Sequence, residues 1–160
     1  MIEWQLKTFN ELSVADLYAV LALRQAVFVV EQNCPYQDAD SEDQQALHLL
    51  GYENEQLIAY ARIFHATGKK KTSLHGADAD VHRIGRVIVA PHARGRQLGR
   101  VLMKKAMQVA LSNSLSQQIV IGAQCYLLDF YRSLDFVCEG SEYLEDGIPH
   151  QDMRHIARAD

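Results

Sequence analysis

The chain has 160 residues, 48% of them hydrophobic and 22% charged, with 16 Lys and Arg against 20 Asp and Glu for a formal net charge of −4. That length suits a single domain with one sizeable core, and the acidic balance argues against a general binder of nucleic acid or anionic membranes. No apolar run approaches the roughly 20 residues that span a bilayer, MIEWQLKTF lacks signal-peptide features, and Cys34, Cys125 and Cys138 show no C-x-x-C spacing, so a reduced cytoplasm is expected.

Residues 2–7 read as a first strand, with Trp4 and Leu6 alternating against polar neighbours. Ser13 then reads as a helix N-cap, with Asp16 at the third helical position, close to a capping box. SVADLYAVLALRQAVFVV carries apolar residues at helical spacing, among them Leu17, Leu21 and Phe28. A polar, acidic loop follows over Gln32–Asp43. ALHLLGYE and LIAYARIFH, separated by NEQ, suggest an antiparallel hairpin. Lys69–Asp80 reads as a loop, with Gly68 and Gly76 as breakers. RIGRVIVAP is a strand ended by Pro91, and Gln97 to about Ser112 is a helix burying Leu98, Leu102, Ala106 and Val109. IVIGA is a short buried strand, and YLLDFYRSL a short helix with Leu127, Phe130 and Leu134 on one side. Strand-like pieces around the turn EDGIP complete the chain. The order β-α-β-β-β-α-β-α-β-β describes one α/β domain with a mixed sheet.

The charge is unevenly placed. Val81–Leu128 contains no acid, yet Arg83, Arg86, Arg94, Arg96, Arg100, Lys104 and Lys105 lie within it. These cations flank a strand and a glycine-containing turn that enters a helix. Unpaired N–H groups and the helix dipole favour an anion at such a start. On the turn alone, a solvated helix start would look the same. Neither G-x-x-x-x-G-K-[S/T] nor G-x-G-x-x-G is present, which excludes a Walker P-loop and the dinucleotide fingerprint.

The wider context V-x-V-x-P-x-x-R-G-x-x-x-G resembles the acyl-CoA motif of the GNAT N-acetyltransferases, and DFYRSLDF resembles that family's F-Y-x-x-x-G-F. LRQAVFVVEQNCPYQDAD and YLEDGIPHQDM look like a narrower branch, the ElaA-like proteins. Two departures stand out. Gln97 replaces the usual first helical glycine, so its side chain must point away from the pyrophosphate or loosen the cradle. Asp135 replaces the glycine before the final phenylalanine, where Asp tolerates a left-handed helix end.

The resemblance implies an α+β fold. Its central mixed, mostly antiparallel sheet has a splayed parallel strand pair and flanking helices. It implies acetyl-CoA as cosubstrate, its pantetheine arm paired along Val87, Ile88 and Val89. One N–H there would bond the thioester carbonyl more strongly as that oxygen becomes an oxyanion. Arg94, Gly95, Arg96, Gln97, Leu98, Gly99 and Arg100 would hold the pyrophosphate, and Gln124 falls where a cofactor-contacting asparagine is common. Tyr131 matches the family's tyrosine near the sulfur and would act as general acid; packed core tyrosine is the alternative.

A glutamate that often serves as base before the turn has no counterpart in this acid-free stretch. Glu31 and His150 are the candidates, with water a third; for Glu31 a surface or salt-bridged glutamate is the commoner account. Arg24, Phe28 and Glu31 share a face if the opening helix stays regular, and Arg24 and Phe28 could then line an acceptor site. The acceptor would be a small-molecule or peptide amine, and the acids of 38–43 weakly favour a cationic one. His48 reads as a satisfied, half-buried histidine, and Cys125 lacks a defined histidine partner, so direct transfer is expected. DADSED lacks the calcium-loop glycine and glutamate, HGADADVH has no standard metal spacing, and KKK at 69–71 is too short for nucleic acid; no metal is expected. A homodimer is left open. Two other functions compete: a non-catalytic acyl-CoA sensor with the same cofactor residues, and a relative of the acyl-homoserine-lactone synthases, which share the fold and whose R-x-x-V/I-F helix RQAVF resembles.

Overall fold

The computed structural model describes residues 1–67 and 80–157. The KKK and HGADADVH segments lie wholly or mostly outside them. The strands are β1 (Glu3–Thr8), β2 (Leu47–Glu53), β3 (Gln56–Phe64), β4 (His82–Val89), β5 (Gln118–Gln124), β6 (Val137–Glu145) and β7 (Ile148–Ile156). The α-helices are α1 (Val14–Arg24), α2 (Leu98–Leu111) and α3 (Leu128–Arg132). The strands form one mixed sheet in the order β1-β2-β3-β4-β5-β7-β6. The β4–β5 pair is parallel, while β1–β2, β2–β3, β5–β7 and β6–β7 are antiparallel. Element order and sheet type follow the pattern read from the sequence.

Local chemistry explains several boundaries. The Ser13 hydroxyl accepts from Asp16 N at 3.0 Å, and Asp16 returns the bond to Ser13 N at 2.9 Å, closing the capping box. Asn54 and Glu55 both take positive φ, as do Asp146 and Gly147, and two such residues suit a tight hairpin. Gly51 is required by space, since a Cβ there would sit 2.8 Å from the Trp4 ring.

The helix from Val14 does not stay regular. It is α-helical to Arg24 and π-helical over Gln25–Glu31, with bonds such as Gln32 N to Val27 O at 3.2 Å. The spacing assumed for Arg24, Phe28 and Glu31 therefore does not hold. The buried positions of this stretch are Asp16, Val20, Arg24 and Val27, in place of Leu17 and Leu21, which are half-buried. In α2, Leu98, Leu102, Met103, Ala106 and Ala110 are buried, and Val109 is not. In and after α3, the buried residues are Tyr131, Leu134 and Phe136, while Leu127 and Phe130 are half-buried.

The chain forms two compact units: Met1–Ile63 with Arg86–Ala106, and Phe64–Gly85 with Met107–Asp160. In the first, Val20, Val27, Leu50, Leu57, Tyr60 and Ile88 pack as a core, with Phe28 and Tyr52 against it. In the second, Ile119, Ile121, Ala123, Tyr131, Leu134, Phe136 and Met153 are buried.

Two buried histidines make stability pH-sensitive. His48 is satisfied as expected but fully buried rather than half-buried: it accepts from Tyr60 Oη (2.7 Å) and donates to the Asp43 carbonyl (2.9 Å). His82 accepts from Ala66 N (2.9 Å) and donates to Asn113 and Ser116 carbonyls. Burial holds both imidazoles below their ordinary pKa, and protonation would break an accepted bond in each. A depressed folded value means stability is full above the unfolded pKa of about 6.5 and falls as pH drops below it. A second loss is expected below roughly pH 4, where the unfolded carboxylates protonate. Burial pushes Asp16, Asp40 and Asp43 upward, but bonds from Lys7, Arg62 and Arg24 outweigh it and hold them below the usual range. Urea midpoints measured from pH 8 to 3 check this; a flat midpoint between pH 7 and 5 would refute the histidine part.

Candidate functional site

The turn before α2 is exposed from Arg94 to Gln97. Gly95 has φ +78 and open space where a Cβ would stand. Gln97 also takes a left-handed φ of +56, the conformation a glycine would reach without cost. Its carbonyl accepts from Arg100 N at 3.1 Å and Val101 N at 3.3 Å. The N–H groups of Leu98 and Gly99 precede those bonds and meet no acceptor among the described residues. An open glycine, outward N–H groups and a helix dipole fit a pyrophosphate.

The positive field of this segment is partly answered by acids from distant parts of the chain. Arg94 donates to both Glu31 carboxylate oxygens (2.9 and 3.1 Å) and to the Val89 carbonyl (3.1 Å). Arg96 donates to both oxygens of Glu53 at 2.8 and 2.7 Å. Both pairs are open to solvent, which screens them, so each is weak enough to yield to a phosphate. Glu31, a candidate base, is thus a salt-bridged glutamate, with both carboxylate oxygens engaged by the Arg94 guanidinium.

Upstream, the parallel ladder of β4 with β5 comprises His82↔Ile119 and Arg83↔Val120. Three residues later Arg86 turns to φ +51 inside β4. Ile88 is buried, Val87 and Val89 are half-buried, and Ala90 N donates to Ile58 O at 2.8 Å.

Arg24 was expected to line an acceptor site, and this is corrected. Its guanidinium is 0% exposed and donates to Asp38 Oδ2 (2.6 Å), Asp43 Oδ1 (2.7 Å) and the Asp38 carbonyl (2.9 Å). Arg62 joins Asp43 to Asp40, and Arg86 joins Asp38 to Asp40. Three aspartates thus meet three arginines, so the acids of 38–43 no longer argue for steering a cation. Among the described residues no group of three or more His, Cys, Asp or Glu could hold a metal. Phe28 remains near β4, its ring centre 5.9 Å from the Arg86 guanidinium carbon.

In the second unit, Tyr131 packs edge-on against Phe130 and Phe136, with ring centres 5.0 and 6.0 Å away. Burial pushes its phenol up to about 12, and no group among the described residues accepts from its hydroxyl. His150, on β7, pairs in register with Gln124 of β5 and Tyr143 of β6. It stacks on the Tyr143 ring at 5.9 Å. Its Nδ1 lies 2.7 Å from the Ile148 carbonyl, and its Nε2 lies 3.6 Å from Glu145 Oε2. A carbonyl can only accept, so Nδ1 carries the proton and neutral His150 leaves a lone pair on Nε2. Cys125 is half-buried, and burial raises its thiol, which disfavours a covalent role. Asp135 takes φ +64, the left-handed helix end expected of it.

A mixed sheet of this topology, with an anion-ready turn after its central strand, suits a phosphate-bearing ligand. Residues 9–157 match the acetyltransferase (GNAT) domain, and the chain belongs to that family. It is 44% identical to Protein ElaA of Escherichia coli K12, over 99% of this chain and 100% of that protein. The crystal structure of Escherichia coli ElaA superposes with a TM-score of 0.83, covering 96% of this chain and 99% of that one. An acyl-CoA N-acyltransferase from Pseudomonas aeruginosa is 37% identical with a TM-score of 0.85, at 96% and 99% coverage. A CoA-dependent acyl-homoserine lactone synthase, at 17% identity and a TM-score of 0.77 over 99% of this chain and 84% of that one, shares the fold alone. The chain is thus an acyltransferase of the acyl-CoA-using class.

Proposed function

We propose that the protein is a single N-acetyltransferase domain over residues 1–160 that moves an acetyl group from acetyl-CoA directly to a primary amine. The observation that carries this is the turn from Arg94 to Gly99, with its left-handed Gly95 and Gln97 and its acceptor-free N–H groups before α2. Acetyl-CoA supplies an activated acyl thioester. Gly95–Arg100 hold its pyrophosphate, with Arg94 and Arg96 available to exchange their carboxylates for phosphate oxygens. Val87, Ile88 and Val89 offer backbone groups to the pantetheine arm, and Gln124 contacts the cofactor. An N–H at Val87 or Ile88 donates to the thioester carbonyl and gains strength as that oxygen becomes negative.

Tyr131 donates its phenolic proton to the departing sulfur; the F-Y-x-x-x-D-F motif and its protonated state at neutral pH support this. His150 Nε2 receives the amine's proton, and Glu145 steadies the imidazolium that results. The pairing of Glu31 with Arg94 favours His150 over Glu31. The acceptor is a small-molecule or peptide amine, with Phe28 at its site. Free Cys34, Cys125 and Cys138 support a cytoplasmic location, and no helix among the described residues is long and apolar enough to cross a membrane.

The deciding experiment is thiol release from acetyl-CoA with a panel of amines, metabolites and peptides. Acetyl-CoA binding without turnover on any amine would make the protein a sensor instead. Lactone formed from an acyl carrier and S-adenosylmethionine would make it a synthase. For the cofactor half, Arg96→Glu with Arg100→Glu is expected to raise the acetyl-CoA Kd, more at low salt than at high. Calorimetry reads this, and an unchanged Kd would show that neither arginine meets the pyrophosphate.

A further inference from the structure

Arg86 adopts φ +51 in the middle of a strand. That region is unfavourable for any residue with a Cβ and persists where its surroundings hold it. The surroundings here are specific. Arg86 Nε donates to Asp38 Oδ1 at 2.7 Å, and its Nη2 lies 3.3 Å from both the Asp38 carbonyl and Asp40 Oδ2. Asp38 is itself 9% exposed and held from three sides. Tyr36 Oη donates to Oδ1 (2.8 Å), Arg24 Nε to Oδ2 (2.6 Å) and Arg24 Nη2 to the carbonyl (2.9 Å). Arg24 is anchored in turn at the junction where α1 becomes π-helical, a distortion that recurs at functional sites. A chain of charge-assisted bonds therefore runs from that junction to the kink in β4, all within one compact unit.

The backbone angles of Arg86 set the plane of the peptide that carries the Val87 N–H. We propose that Asp38, backed by Arg24, is a positioning residue for the acyl transfer: it clamps Arg86 in the left-handed conformation and so aims the N–H groups of Val87 and Ile88. This rests on the assignment of one of those N–H groups to the thioester carbonyl. Asp38 acts through the backbone and touches no reacting atom.

The test compares Asp38→Asn, Arg86→Ala and Arg86→Gly in the full chain, by kinetics and by the 15N–1H shifts of Val87 and Ile88 without acetyl-CoA. Asp38→Asn and Arg86→Ala are expected to lower kcat about tenfold or more, since small misplacements at a reacting centre are costly. KM for acetyl-CoA should stay within about threefold, the signature of an interaction that matters in the transition state. Arg86→Gly should retain most of kcat and the wild-type shifts, because glycine takes positive φ unaided. Equal loss in Arg86→Gly and Arg86→Ala would overturn the proposal, since the guanidinium itself would then be needed. So would Val87 and Ile88 shifts unmoved in Asp38→Asn. If Asp38→Asn fails to fold, the two Arg86 variants decide. If no amine supports turnover, the shifts decide alone, which separates failure of the clamp from failure of the proposed reaction.

Discussion

Tyr131→Phe is expected to lower kcat about 100-fold or more, within the range general acid catalysis contributes. The substitution removes only the hydroxyl oxygen. The ring keeps its edge-on packing with Phe130 and Phe136, so stability should move by less than about 1 kcal/mol. Burial holds the phenol near 12, so it is protonated throughout the neutral range and can donate to a leaving thiolate. KM for acetyl-CoA should change little, because the bond matters as the sulfur departs. Single-turnover thiol release measures the chemical step directly. Unchanged turnover with an unchanged fold would reduce Tyr131 to a packed core tyrosine.

Arg24→Ala is expected to destabilise the protein by about 3–5 kcal/mol, the usual result of removing one partner of a buried pair. Arg24 is fully buried between Asp38 and Asp43, which are themselves buried. Without the guanidinium, two carboxylates lose their nearest cation in a place water reaches poorly. The loss is a penalty of mismatch, and the intact network need not add that much net stability. Arg24→Lys should recover only part of it, since an ammonium cannot reproduce the fork that spans two acids. Urea denaturation measures both, and a loss below about 1 kcal/mol for the alanine variant would contradict this account.

Much of the fold was legible because its signals are local. Ser13 and Asp16 announce a helix start by chemistry that needs only four consecutive residues, and the structure closes that capping box. The hairpins and the strand before Pro91 follow from alternation and turn residues, so the order of elements was readable in full. Gln97 and Asp135 were visible as departures from the family's glycines, and both take the left-handed backbone that glycine would take. What went unread was set by partners far apart in sequence. Arg94 meets Glu31 across 63 positions, Arg96 meets Glu53 across 43, and Arg86 meets Asp38 across 48. An acid-free stretch therefore looked more positive than it is. The regular spacing assumed through Glu31 failed because the backbone turns π-helical after Arg24.

The sequence by itself determined the type and order of the elements, the family and the turn that suits a pyrophosphate. The elements and the turn depend on residues within one or two helical turns of one another, where propensity and periodicity act, and the family on several such local motifs spread along the chain. Only the tertiary structure decided which charges neutralise which, that Arg24 is buried rather than facing a substrate, and that Arg86 is bent and clamped within its strand. Those outcomes depend on through-space electrostatics and desolvation between segments that only folding brings together.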